Sequence, residues 1–418
     1  MPLRISPAKF GCLQIPHGIM FGTLGVAVPL LLNRMGWPVD KAALFVALTL
    51  SPPGWAFLLT PFLDARPRRR RIAAFLGITG ALTAGLAVAV LMGENRMVAG
   101  GLFLIAETAI LLFTASVSSL VARVLPESEW NQVGGWGSAG VLLGLVASGV
   151  LVPSSVSKWG ATATGVGLAL GLLVMILYVL SLPLYGEGAG RETKVPIRPR
   201  RVLEDRRFLR CCAFLFLPVA SGGILEVIPG IAPLYGWSDQ DSVAGLGGMV
   251  PILNAAGALA GGVILSTVPP LLRYGVVGVV LGVLSGGMVL LPHSRYLLLG
   301  YLGLYAFVMG AGISAMSAIL LGFGAARDPF VSFRISVGYA CGTWSTVLMT
   351  ALQGSMFQRR GTIGMFTTDA LCSLAGGVTV LLMERHRSDR RTNDDGKPSL
   401  VADNDRTGGN GGPGTGGP

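Results

Sequence analysis

Four ionisable side chains stand inside long apolar runs of this 418-residue chain: His17, Glu107, Glu226 and Asp369. A charge at mid-membrane costs roughly 2.5–3.5 kcal/mol on insertion scales, so each such group needs a partner, a cavity or a bound solute. Carboxyls in that setting can load a proton or hold a polar molecule. Glu226 is the strongest candidate. It lies in Pro218-Val-Ala-Ser-Gly222-Gly-Ile-Leu-Glu226-Val-Ile-Pro229-Gly230, where two prolines and three glycines weaken a helix on both sides of the carboxyl. Backbone groups freed in that way are tolerated in a membrane only against protein or a water-filled cavity. We read Glu226 as a buried carboxyl able to take up and release a proton.

Glu107, in Leu104-Ile-Ala-Glu107-Thr108, is either a solute contact or proton carrier, or a protonated carboxyl bonded to neighbouring backbone. His17 follows Pro16 and shares a helix face with Gln14; it is either part of the same site or a packing histidine. Asn254 is polar but cannot titrate. Asp369 reads as structural.

The elements that carry these residues follow from composition. Hydrophobic residues make up 52% and charged residues 13% of the chain, with a mean hydropathy of +0.65; soluble domains carry about 25% charged residues. The apolar residues fall into twelve segments, 10–32, 42–64, 72–92, 98–122, 133–153, 161–185, 211–233, 243–268, 274–291, 297–322, 335–357 and 362–383. Each is long enough to cross about 30 Å of hydrocarbon as a helix. We call them spans 1 to 12. Of the 32 Lys and Arg, 25 lie on the side holding both termini and the connections 65–71, 123–132, 186–210, 269–273 and 324–334, and 7 lie on the other. The positive-inside rule makes the rich side cytoplasmic. The fold class is therefore an all-α membrane protein of twelve transmembrane helices, both termini cytoplasmic, in the inner (plasma) membrane.

The long basic connection 186–210 divides the spans six and six: an N-terminal half, 1–185, and a C-terminal half, 211–384. A duplicated six-helix unit is the outline of a carrier with a central site. The tail 385–418 is expected to be disordered, having too little apolar surface to fold. No cleavable signal peptide is expected, because the first apolar run is too long and lacks a small-residue cleavage site.

Several function classes are excluded. The five cysteines lie in or beside apolar segments without metal-ligand spacing, and the three histidines are scattered. We expect no cofactor, no metal and no catalytic cluster. The glycine runs Gly140-x-x-x-Gly144 and Gly278-x-x-x-Gly282-x-x-x-Gly286 mark close helix contacts; no Walker A loop exists to drive an ATP pump. The net charge of +11 belongs to topology and lipid headgroups, not to nucleic acid.

One loop is more specific. Phe57-Leu-Leu-Thr-Pro61-Phe-Leu-Asp64-Ala-Arg66-Pro-Arg68-Arg69-Arg70-Arg71 resembles the cytoplasmic motif of the major facilitator superfamily. Its Pro-x-x-Asp form is similar to the branch of AmpG-type muropeptide permeases and acetyl-CoA transporters. The runs Trp130-Asn-Gln-Val-Gly-Gly-Trp and Gly364-Met-Phe-Thr-Thr-Asp369 are similar to the same branch. In the second half, Ser266 stands where the motif has an acid. The resemblance implies that spans 1, 4, 7 and 10 line a central cavity. It also implies that Asp64 gates the inner mouth, engaging the start of span 11 around Arg334 or Arg327, with Arg68 in the same gate. A carboxylate there can accept from a helix N-terminus or pair with arginine.

The expected function is secondary, proton-coupled transport (symport) of a small polar solute by alternating access, by a monomer whose partners are the solute, protons and the bilayer. Glu226, Glu107, His17, Gln14 and Asn254 would form the site. The alternative is a non-transport membrane factor of the same fold, an intramembrane enzyme or a pigment- or assembly-related protein. The topology predicts that a cysteine placed beside Arg295, in a cysteine-free background, is labelled by an impermeant maleimide in intact cells, and one beside Lys194 is not. Labelling near 194 would invert the orientation.

Overall fold

The computed structural model describes residues 6–64, 69–93, 95–124, 126–181, 202, 204–238, 241, 243–324 and 330–395. Every regular element among them is helical, as hydrocarbon requires of a chain that must satisfy its own backbone groups. Among the described residues, eight helices are long and apolar enough to cross a membrane, nine when the bent pair Lys41–Thr49 and Pro52–Leu58 is taken as one span. Two of the eight, Trp130–Tyr178 and Val331–His386, have 49 and 56 residues, far beyond the roughly 20 needed for one crossing. Each breaks at one glycine: Gly160 at φ 81° and ψ 167°, Gly361 at φ 65° and ψ −155°. Their four arms are spans 5, 6, 11 and 12. The interrupted segment Arg206–Phe216 plus Gly223–Ile231 is span 7, so all twelve segments are accommodated.

Two boundaries differ from the sequence reading. The connections 154–160 and 358–361 are helical except at their last residue, because a single left-handed glycine can break the helix without a loop. The final helix also runs on to Asp395 instead of stopping near Glu384; arginine, a good helix former, fills four of the positions 385–391.

The halves repeat each other in detail. Span 1 ends with Gly36 at φ 71° and Trp37, whose N–H groups reach Asn33 O and Leu32 O. Span 7 ends with Gly236 at φ 74° and Trp237, bonded in the same way to Pro233 O and Ala232 O. These are helix C-caps closed by a left-handed glycine. Each tryptophan then meets the arginine that opens the third helix onward. Arg96 lies 5.2 Å over Trp37, and Trp237 Nε1 donates to Arg295 O at 3.3 Å.

Small residues bring the helices together. Gly11, Gly18 and Gly22 of span 1 lie on the backbone of Trp136, Val141 and Leu145 in span 5, which answers with Gly140 and Gly144. Gly278 and Gly282 of span 9 meet span 12 at Gly377 and Ala370. The halves themselves touch where Gly135 of span 5 meets Gly262 of span 8. Behind these seams, large side chains fill the cores: Phe103, Phe113 and Met20 in the first half, Tyr305 and Phe366 in the second.

A side chain on Gly18 would run into the carbonyl of Val141. Gly18→Leu should therefore lower stability by about 1–3 kcal/mol, read as a fall in the thermal midpoint of the solubilised chain. Nothing lies within 4 Å of a methyl added at Gly101, so Gly101→Ala should stabilise the chain by up to about 1 kcal/mol and thereby raise the midpoint. Equal effects at the two positions would mean that spans 1 and 5 do not meet backbone to backbone.

Candidate functional site

Pro7–Gly22 turns its glycines toward span 5, and this places Gln14, His17 and Phe21 on another face. Gln14 Nε2 donates to Ser118 Oγ of span 4 at 3.1 Å. One turn along, His17 Nδ1 lies 4.0 Å from Glu107 Oε1, also of span 4. The histidine side chain is 18% exposed and the glutamate 0%. Neither Glu107 oxygen, nor His17 Nδ1, has a hydrogen-bond partner. Spans 1 and 4 thus bring His17 against a buried carboxyl without a hydrogen-bond partner among the described residues, while Gln14, one turn away on span 1, is bonded to Ser118 about three turns along span 4. Nearby hydroxyls on span 4 are turned to their own helix: Thr108 donates to Leu104 O at 2.7 Å and Ser116 to Leu112 O at 2.8 Å.

Span 7 breaks where its sequence indicates. Leu217 is extended and Gly222 is left-handed at φ 66°. Span 11 repairs the exposed backbone, Thr346 Oγ1 donating to Ser221 O at 2.6 Å. The break is thus lined by protein, as the cost of bare backbone demands. Gly223–Ile231 turns Ile224, Ile228 and Ile231 inward and leaves Glu226, Pro229 and Gly230 exposed. The three isoleucines claim the packed face, and helical register carries the Glu226 carboxyl to the other one, where it is open to solvent yet closely surrounded by protein. Asn254 is 4% exposed, and the backbone of Gly310 in span 10 lies against its carbonyl; its Oδ1 has no partner.

At the basic end the halves are bolted together. Asp64, 6% exposed, accepts from Ser332 N at 3.2 Å and Phe333 N at 2.9 Å. These are first-turn donors of the span 11 helix, which has no intrahelical acceptors for them. Asp64 thus meets the start of span 11, and there it takes backbone amides. Arg334 donates from Nη1 to Asp205 Oδ2 at 2.7 Å at the end of the central connection, with its guanidinium 5.1 Å over Phe208. Asp205 also caps the helix Arg206–Phe216 through Arg207 N and Phe208 N. The hydrogen bond from Arg334 holds the Asp205 carboxyl below the usual carboxylate range. Arg68 and Arg327 lie outside the described residues.

A second inter-half contact was not singled out from the sequence. Asn131, opening span 5, donates from Nδ2 to Ser266 O at 2.5 Å and accepts from Arg273 Nη2 at 3.1 Å. Arg273 also donates to Leu265 O at 3.2 Å and to Gly261 O. Ser266 occupies the place of the missing acid and contributes its carbonyl. Further in, Ser138 and Ser317 hydroxyls lie 3.2 Å apart. The available signal was Arg273, the lone basic residue of its loop.

Asp369 is satisfied within the second half. Ser285 Oγ donates to it at 2.5 Å and Gln353 Nε2 at 2.7 Å, and Tyr301 lies 3.0 Å from the same serine.

Comparison with known proteins agrees with this architecture. The profile described as Major Facilitator Superfamily matches residues 11–329. No curated protein sequence matches the chain. Among solved structures, a bacterial homologue of the iron transporter ferroportin in an outward-facing state superposes with a TM-score of 0.66 at 14% identity, covering 91% of this chain and 99% of that one. The human organic anion transporter TETRAN gives 0.65 at 16% identity, covering 89% and 98%. The E. coli fucose:proton symporter gives 0.64 at 13% identity, covering 90% and 98%. The matched profile spans most of the chain, and the chain belongs to the major facilitator superfamily.

Proposed function

We propose that this chain is a proton-coupled secondary transporter of a small polar solute, working by alternating access in the inner membrane with both termini cytoplasmic. The observation that carries the reading is the unsatisfied, fully buried Glu107 facing His17 between spans 1 and 4. A carboxyl kept in that condition has a use for a proton or a solute donor. Glu226 supports it from the other half. An exposed carboxyl within a span cannot rest against lipid at low cost, so its face suits a water-filled cavity. The superfamily membership and the sugar- and ion-transporting proteins of like fold also support a carrier.

The Asp64 and Asn131–Arg273–Ser266 contacts are the inner gate in this reading. They hold the basic end shut, and opening that end requires both to part. Asp64→Asn replaces an acceptor with an amide group whose N–H faces backbone N–H donors, and the remaining bonds lose their charge assistance. In a cysteine-free background, a cysteine at Ser138 should then be labelled several-fold faster from the cytoplasmic side in inside-out vesicles. An unchanged labelling rate would remove Asp64 from the gate.

The coupling role falls to Glu226, with Glu107 as the second carboxyl. Glu226→Gln keeps shape and hydrogen bonding but cannot titrate. For a solute that the wild type accumulates, the variant should lose proton-driven accumulation across the neutral pH range while retaining counterflow. Wild-type accumulation in Glu226→Gln would make that residue structural and pass the role to Glu107.

A further inference from the structure

None of the twelve spans contains a lysine or an arginine. Their fixed ionisable groups are Glu107, Glu226, Asp369 and His17, with Asp64 at the membrane edge. Two of these carboxylates are spoken for: Asp369 by Ser285 and Gln353, Asp64 by the amides of Ser332 and Phe333. Glu107 is 0% exposed with both oxygens unpartnered, and no described residue hydrogen-bonds Glu226.

Other buried polar atoms within the spans also lack partners among the described residues. Asn254 Oδ1 and Gln353 Oε1 are acceptors without donors. The amide donor of Gln14 is already committed to Ser118, and that of Gln353 to Asp369. On span 4, Thr108, Ser116 and Ser119 donate to their own helix, whereas Thr114 Oγ1, and Ser345 Oγ on span 11, are hydroxyls without a partner among the described residues. The interior therefore offers carboxyls, amide oxygens and a few neutral hydroxyls, but no guanidinium or ammonium group within the spans. An anionic solute would face carboxylates with no compensating cation, an arrangement that strongly disfavours burial. An ammonium group would supply both the missing donors and the missing charge.

We propose that the solute is an organic cation, an amine protonated at neutral pH, with its ammonium group bound at Glu107 and its passage aided by Glu226. This rests on the carrier reading above and adds the sign of the charge. It also sets the chain apart from the peptidoglycan-fragment permeases that its second loop resembles, because such fragments carry carboxylates.

Matched triples on one skeleton test it: ethanolamine, ethylene glycol and glycolate; glucosamine, glucose and glucuronate; benzylamine, benzyl alcohol and benzoate. A ligand that binds only the folded state raises its thermal midpoint. At least one amine should raise the midpoint of the purified full-length chain by a few degrees, while its alcohol and its carboxylate leave it unmoved. Glu107→Gln should abolish that shift, with its own ligand-free midpoint near wild type. A shift from a carboxylate, an equal shift from an alcohol, or none from any amine overturns the proposal. If Glu107→Gln unfolds, Glu226→Gln serves as the second variant, and an undiminished amine shift there counts against the proposal. The stabilising amine is then tested for exchange in liposomes. Stabilisation without exchange would sink the carrier reading and leave the cation site standing.

Discussion

Hydrocarbon offers no hydrogen bonds, and this condition sorts every polar group in the molecule. Asp64, buried at one end, takes two backbone amides. Asp369 accepts from a serine and a glutamine of its own half. The broken backbone of span 7 leans on a threonine of span 11. Against this background of bonded carboxylates, a buried one with both oxygens unpartnered is informative. Glu107 and His17 face each other at 4.0 Å, too far for a good hydrogen bond, and that gap carries the functional argument.

The two halves share a plan and differ where the work is divided. Both close their first helix with a left-handed glycine and a tryptophan, and both join their last two helices through one glycine. Only the second half interrupts its first helix, with Gly222 and the extended residue Leu217. The first half keeps span 1 packed through its glycines on span 5 and places its carboxyl on span 4. One half thus presents a stiff, buried acid, and the other a jointed helix with an exposed one.

Much of this was legible in the sequence. Apolar runs and the distribution of arginine set out the spans, because both report directly on the cost of moving polar groups through lipid. Asp64 stood out because a carboxylate at a helix end beside a basic run has few uses. Other contacts left no residue signature. Asp64 binds amides that any residue would provide, and Ser266 contributes a carbonyl where an acid had been sought. Arg334 found Asp205 because both border the same helix ends, a matter of tertiary placement. The exposure of Glu226 depended on which face three isoleucines would claim, and a nine-residue helix between breaks gives no phase to read in advance.

The bond between Asp64 and the opening turn of span 11 has a genetic consequence. One side of it is a single replaceable side chain, whereas the other is main chain, which almost every codon supplies. Drift at Ser332 or Phe333 can therefore change the side chains there without erasing the donors. Proline is the exception, since it lacks the N–H yet fits the first turn of a helix. Loss of the bond itself should therefore be lopsided, concentrated on one aspartate codon, while Phe333 is constrained across from it only by its own packing against Phe57 and Phe208.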